Sequence, residues 1–346
     1  MILAGDLGGT KCNLGLFKQD GDKLELVASQ RYATREFAQL PFENILQDFK
    51  ARAAEQLGAA LDGNLSAAGF GGAGAVVNGV LHGTFVPWQL NARKLAADLG
   101  IEKVLLINDV EATAFSLPHL AANDLVKLSP GAPQEPGTKA LIAAGTGLGE
   151  AILFWSGRQY FAVPTEGGEA DFAPHSEQEI ELLRALRKKL PRVSAEEILS
   201  GSGFRAIHEF LASGVRHASF RMPARDSAEE ITQQALAASC PTCVDTLNFW
   251  TAAYASEAGN LALRTLAFGG VYIAGGIAPK ILPKLREASF FQRFADKGRF
   301  GTILARIPLY VVLNENAPLW GAAYEAAARV ETDMPPPPEH PSFQRS

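Results

Sequence analysis

Two apolar stretches, each interrupted by a turn of glycine and threonine and then resumed, constrain this chain more than any other feature. The first runs through Ile2, Leu3, Ala4 and Gly5, turns at Asp6-Leu7-Gly8-Gly9-Thr10, and resumes through Leu14, Leu16 and Phe17. The second runs over 140–144, turns at Gly145-Thr146-Gly147-Leu148-Gly149, and resumes over 151–155. An apolar run, a tight turn and another apolar run make a β-hairpin, whereas a Walker loop would pass from strand into helix. The hairpin recurs in matching contexts, which predicts two related α/β domains facing each other across a cleft. With 346 residues, the chain is long enough for both.

The rest of the sequence fills in around these hairpins. A helix is expected near 41–57, and short strands with tight turns over 65–88. A strand over 104–107 runs into Asn108-Asp109 and then a helix through Ala112, Phe115 and Leu117. Residues 130–137 read as a Pro/Gly loop. From 176 to 330 the pattern is mainly helical, broken by a strand over 271–274. Ser176 with Glu179, and Ser194 with Glu197, each fit a capping box. Pro279 is expected to open a helix after Gly275-Gly276. A strand near 309–312 precedes a last helix from about Pro318, and the prolines at 335–338 predict a disordered tail.

Composition excludes several classes of function. Asp and Glu total 37 against 32 Lys and Arg, a net charge of −5 that offers no basic face to nucleic acid. No apolar run is long enough to span a membrane, and Asp6 interrupts the first apolar stretch where a signal peptide would need continuity. Three cysteines make no disulfide framework, which suits a reducing cytoplasm. Cys240-Pro241-Thr242-Cys243 supplies two of the four ligands of a zinc site and reads as structural. Residues 69–74 match a dinucleotide pattern, but the next stretch, with Val76, Val77 and Val80, is strand-like, and that fingerprint must open a helix.

Glycine lets backbone N–H groups approach a phosphate closely, and Thr10, Thr146 and Lys11 add donors. One such turn is an ordinary hairpin; two in matching contexts read as a clamp on a polyphosphate. Asp6 could hold Mg²⁺ against the phosphates or bond its own turn. Asn108-Asp109 lies past the carboxyl end of a buried strand, where open α/β sheets bind ligands. One of the two caps the following helix, and the spare carboxylate is a candidate general base. Glu166, Glu169 and Asp171 surround a Gly-Gly bend, where carboxylates accept hydrogen bonds from a hydroxyl-rich ligand or stand in a solvated acidic loop. Glu196 is left over beside the capping Glu197 and by itself reads as a surface residue. Gly275-Gly276 leaves room for a flat ring or ribose.

Taken together, the chain resembles the bacterial glucokinases of the hexokinase-like, actin-fold ATPase superfamily from about Ile2 to Ala328. The motifs are Gly5-Asp6-Leu7-Gly8-Gly9-Thr10, Ile107-Asn108-Asp109, Gly145-Thr146-Gly147-Leu148-Gly149, Glu166-Gly167-Gly168, Ser194-Ala195-Glu196 and Gly275-Gly276. The resemblance implies two ribonuclease-H-like α/β domains: a small one over 1–109, completed by a C-terminal helix over about 318–330, and a large one over 110–317, with 331–346 as tail. It implies ATP and Mg²⁺ as cofactors, with Gly5, Asp6, Leu7, Gly8, Gly9, Thr10, Gly145, Thr146 and Gly147 at the phosphates, Gly275 and Gly276 near the adenosine, and Asp6 as the metal residue. Asn108, Asp109, Glu166 and Glu196 would hold the hexose, with Glu169 joining them at the sugar, and Asp109 would take the proton from the 6-hydroxyl. Such kinases close two domains over the sugar and are commonly cytoplasmic homodimers. Three positions depart from the family pattern: Glu169 for a usual histidine, Phe85 for an asparagine and Gly74 for a proline. Another hexose or an amino sugar is the alternative substrate. A sugar-sensing regulator on the same fold is the alternative function, expected to carry an N-terminal helix-turn-helix before the first strand.

Overall fold

The computed structural model describes residues 1–58, 65–83, 86–212 and 227–331. Phe85 and the prolines at 335–338 lie outside the described residues.

The chain opens with β1 (Ile2–Leu7), β2 (Lys11–Asp20) and β3 (Lys23–Ala33), followed by α1 (Thr34–Phe37) and α2 (Phe42–Leu57). Next come β4 (Ala67–Gly72), β5 (Gly74–Val77), β6 (Val80–Gly83), β7 (Gln89–Asn91), α3 (Ala92–Leu99), β8 (Lys103–Asn108) and α4 (Asp109–Ser116). The middle of the chain holds β9 (Leu125–Lys127), β10 (Lys139–Ala144), β11 (Leu148–Trp155), β12 (Tyr160–Pro164), α5 (Glu177–Leu186), α6 (Ala195–Leu199) and α7 (Gly201–Leu211). It ends with α8 (Ser227–Leu236), α9 (Pro241–Thr265), β13 (Gly270–Ala274), α10 (Leu282–Leu285), α11 (Ala288–Ala295), α12 (Gly301–Leu304), β14 (Leu309–Val312) and α13 (Ala317–Glu331).

These elements form two compact units, one of 1–120, 160–164 and 314–346, the other of 121–159 and 165–313. The main sheet of the first unit has the order β3-β2-β1-β4-β8. β1 pairs antiparallel with β2 and parallel with β4, and β4 pairs parallel with β8. In the second unit the strands run β11-β10-β13-β14-β9, with β10 antiparallel to β11 and parallel to β13. Each unit is thus built on a glycine-turned hairpin whose first strand pairs in parallel with a later strand, and the repetition seen in the sequence is a repetition of topology.

Local chemistry explains the elements. Every residue of β1 and of β4 is buried, as expected of strands with neighbours on both sides. α2 buries Phe42, Ile45, Leu46, Phe49 and Ala53 on one stripe and ends at Gly58, whose φ of 63° favours glycine. Asn91 caps α3, its Oδ1 accepting from the N–H groups of Arg93 and Lys94 at 3.0 and 3.1 Å. α9 is buried on most sides and forms the centre of the second unit's core with Trp250 and Tyr254. Even so, no helix among the described residues is long and apolar enough to cross a membrane.

Three details differ from expectation. The first unit extends past 109 because α4 packs against α13: a Cβ on Gly321 would lie 1.6 Å from the Ala112 carbonyl oxygen, so only glycine admits the crossing. Ser194 precedes α6 but makes no side-chain cap, because its backbone bridges Asp171 and Glu197 stands exposed. Pro279 opens no helix. The Ile277 carbonyl accepts from Lys280 and Ile281 N–H at 3.0 and 3.3 Å, a closed turn, and α10 begins at Leu282. The box at Ser176 and Glu179 forms as expected.

Candidate active site

In the first unit, Gly8 N–H closes the turn after β1 by donating to the Lys11 carbonyl at 2.9 Å. Thr34 holds the turn from outside: its Oγ1 donates to the Gly8 carbonyl at 2.8 Å, and its N–H to the Thr10 carbonyl at 3.0 Å. Gly9 and Thr10 are left exposed at the rim. Asp6 stands opposite Asn13 across the hairpin, and Asn13 Nδ2 donates to Asp6 Oδ2 at 3.0 Å. Arg31 Nε in turn donates to Asn13 Oδ1 at 3.0 Å. Burial raises the Asp6 pKa, while Asn13 and the charges of Lys11 and Arg31 pull it back. Asp6 is therefore held by a side chain across the hairpin and not by its own turn.

The same unit settles which of Asn108 and Asp109 is the cap. Asn108 Oδ1 accepts from Val110 N–H at 2.8 Å, and Glu111 Oε2 accepts from Asn108 N–H at 3.1 Å, a complete capping box. Asn108 Nδ2 donates to the Gly74 carbonyl at 3.1 Å. Asp109 is the spare group. It opens α4 half-buried, with Oδ1 accepting from Val110 N–H at 3.0 Å. Burial, the neighbouring charge of Asp6 and that of Glu111 raise its pKa to about 6. A carboxylate poised there is ionised at neutral pH yet basic enough to accept a proton.

The second unit builds its turn differently. Gly145 N–H donates to the Gly147 carbonyl at 2.8 Å, and the Gly145 carbonyl accepts from Gly201 N–H at 2.9 Å, at the start of α7. Glu196 on α6 reaches back, and its Oε2 accepts from Leu148 N–H at 2.9 Å. It is half-buried and bound to the glycine turn, not the surface residue its sequence context suggested. Burial raises its pKa, and Glu169, Glu197 and Glu166 add to the rise. Thr165 Oγ1 fixes the Gly-Gly bend by donating to the Glu150 carbonyl at 2.9 Å and accepting from Gly167 N–H at 3.1 Å. Glu166 and Glu169 are both exposed on this bend. Arg192 Nη2 donates to Glu169 Oε2 at 2.9 Å, and its Nη1 approaches Asp171 at 3.4 Å. Gly275, with φ of 86°, brings its turn onto the end of β10, where a Cβ would strike the Ala144 carbonyl oxygen at 2.3 Å. The segment expected at the adenosine thus lies against the strand that carries the second phosphate turn.

The glycines of this unit fall into two kinds. A Cβ on Gly168 would lie 1.9 Å from the Leu148 carbonyl oxygen, whereas a Cβ on Gly145 or Gly276 meets nothing within 4 Å. Gly168→Ala is expected to cost ~1–3 kcal/mol or more by forcing backbone apart. Gly145→Ala and Gly276→Ala should leave the urea midpoint unchanged and raise KM for ATP. A Gly145→Ala protein with reduced stability and normal KM would reverse this division.

The glucokinase family model matches residues 3–329. The chain belongs to the glucokinase family. A glucokinase of Nostoc sp. is 38% identical, with 94% of this chain and 99% of the relative covered. The crystal structure of a glucokinase from an Antarctic psychrotroph is 27% identical, with a TM-score of 0.83 over 94% of this chain and 98% of that one. A glucokinase of Balamuthia mandrillaris, solved in complex with glucose, shares the fold at 22% identity, with a TM-score of 0.70 over 94% and 93%. The architecture is accordingly that of the hexokinase-like, actin-fold sugar kinases.

His175, six residues beyond Glu169, has partners of its own. His175 Nε2 lies 3.2 Å from Asp296, and its Nδ1 contacts Arg293. Sequence reasoning missed Glu150. It is buried beneath the bend, where a Cβ on Gly167 would strike its Oε2 at 2.2 Å, and burial with the Glu257 charge raises its pKa to about 7. A lone carboxylate inside the apolar strand β11 was the available signal. Arg192, which answers the charge of Glu169, was also missed and had no local signal.

Proposed function

We propose that the protein transfers the γ-phosphoryl group of ATP to the 6-hydroxyl of a hexose, glucose in the first place, yielding glucose 6-phosphate. The observation that carries the mechanism is the division of labour at Asn108-Asp109: the amide caps α4, and the carboxylate, with one oxygen on Val110 N–H, is not needed for the cap and has its pKa raised to about 6. Asp109 aligns the 6-hydroxyl and accepts its proton as the phosphoryl group arrives in line. Positioning and charge stabilisation supply most of the rate in such transfers. Asn108, Glu166 and Glu196 accept or donate to the remaining hydroxyls, and Glu169, already answered by Arg192, takes an outer position on the sugar. The exposed backbone of Gly9, Thr10 and Thr146, with Gly147 beside it, holds the phosphates. Gly5 and Leu7, buried in β1, and Gly8 and Gly145, whose N–H groups close the turns, shape that cradle, and Gly275-Gly276 holds the adenosine.

The donor set also fits Mg²⁺. The charge of Asp6 raises the Asp109 pKa, and a hard cation shared with phosphate oxygens suits one or two carboxylates of this kind. Asp6 would hold the ion directly or through water, where it would neutralise phosphate charge. By resemblance to its family the protein is read as a cytoplasmic homodimer. A coupled MgATP assay over glucose, mannose, fructose and glucosamine, run on the native chain and on Glu169→Ala and Glu169→His, tests the reading. Turnover of glucose is expected, with kcat/KM altered in both variants. Sugar binding without turnover would leave a regulator, and unchanged values in both variants would remove Glu169 from the sugar.

A further inference from the structure

The helical layer of the second unit brings together three side chains that the phosphoryl chemistry does not use. His208 lies on α7, Cys240 is the N-cap residue of α9, and Cys243 sits in the first turn of α9. One candidate ligand atom from each, an imidazole nitrogen and two sulfurs, lies within 4.8 Å of the other two. All three are buried, at 2%, 8% and 0% exposure. On a tetrahedral shell with metal–sulfur bonds of about 2.3 Å, ligand atoms stand ~3.7 Å apart, so about 1 Å of side-chain movement closes the set. The Cys-x-x-Cys spacing across a helix start is the spacing such sites use, and the third ligand comes from a separate helix.

We propose that His208, Cys240 and Cys243 form a structural site for a thiophilic d¹⁰ cation, Zn²⁺ or Cu(I), which ties α7 to the start of α9. Two thiolates balance the charge of Zn²⁺, so the loaded site adds no net charge to an apolar core. Zn²⁺ would take one further non-protein ligand, whereas Cu(I) is satisfied by three. Binding replaces two S–H bonds by two metal–sulfur bonds and releases two protons, while the imidazole binds neutral. In the absence of a cation, burial and the Cys240 neighbour push the Cys243 thiol up to about 12, and Cys243 N–H donates to Cys240 Sγ at 3.3 Å. The Cys243 thiol then stays protonated at neutral pH.

The test uses the full chain, stripped with a chelator in the presence of a phosphine reductant and reconstituted with Co²⁺, Zn²⁺ or Cu(I). One Co²⁺ per chain is expected, with a thiolate-to-cobalt band in the near ultraviolet that Zn²⁺ abolishes. Cys240→Ser and Cys243→Ser should lose the band, His208→Asn should shift it, and Cys12→Ser should keep it. Where a variant fails to fold, the native chain decides. Its melting temperature should rise by about 3 °C or more with Zn²⁺ or Cu(I) and not with Mg²⁺. No ion retained after gel filtration, or a band that survives in both cysteine variants, overturns the site. So does a chain that loses two hydrogens to a Cys240–Cys243 disulfide and takes up no ion on reduction. Retention of Cu(I) alone keeps the site and fixes the ion.

Discussion

Asp109→Asn is expected to lower kcat by ~10²-fold or more while leaving the protein folded and its sugar affinity within a few-fold. The amide keeps the shape of the side chain and its bond to Val110 N–H, and Asn108 still caps α4, so the start of the helix is not disturbed. What is lost is the basic oxygen. The native enzyme should show the complementary pH dependence. A base works only when deprotonated, so kcat/KM should fall as pH drops through about 6 and be flat above it. In Asp109→Asn that limb should disappear. Steady-state assays between pH 5 and 8 measure both, and a variant retaining kcat within a few-fold would falsify the role.

Gly147→Val is expected to damage both substrates, whereas Thr146→Val should damage ATP use alone. The resemblance puts the turn at the phosphates and Glu196 at the hexose, yet the two meet at Gly147, where a Cβ would lie 2.5 Å from Glu196 Oε2. Glu196 cannot yield freely, because that oxygen accepts the Leu148 N–H. Valine displaces the carboxylate, and leaving the N–H without its acceptor costs ~1–3 kcal/mol. KM for ATP and KM for glucose should therefore rise together, by ~10-fold or more for an effect of that size. Thr146 is exposed on the same turn, and its loss should raise KM for ATP with the glucose value unchanged. A Gly147→Val enzyme with normal glucose KM would separate Glu196 from the sugar.

The parts of the fold that were legible in the sequence are the local ones. Both hairpins, the strand before Asn108 and the stripe on α2 follow from neighbours a few residues apart. Asn108-Asp109 was readable as a cap plus a spare carboxylate, although not which residue was which, because both side chains cap well. Without the resemblance Glu196 reads as a surface residue, because its partner, Leu148, lies 48 residues away. The proximity of His208 to Cys240 and Cys243 was invisible for the same reason. Ser194 failed as a cap although its spacing was right, since the backbone pairing with Asp171 is a tertiary contact that no local pattern records.

The position of α13 bears on how the protein is made. The first unit begins with β1 at the amino terminus but is completed by a helix that packs on β1, β4 and α4 from the far end of the chain. On the ribosome, β1 to α4 are made before α13, and the face of their sheet that α13 covers must wait, uncovered, for residues some two hundred positions downstream. The second unit, encoded in between, has all its strands once β14 is out. The unit that holds β1 is thus the last to have all its parts synthesised. Chaperone demand falls on the amino-terminal sheet, and a chain stalled before residue 317 would carry one finished unit and one that cannot close.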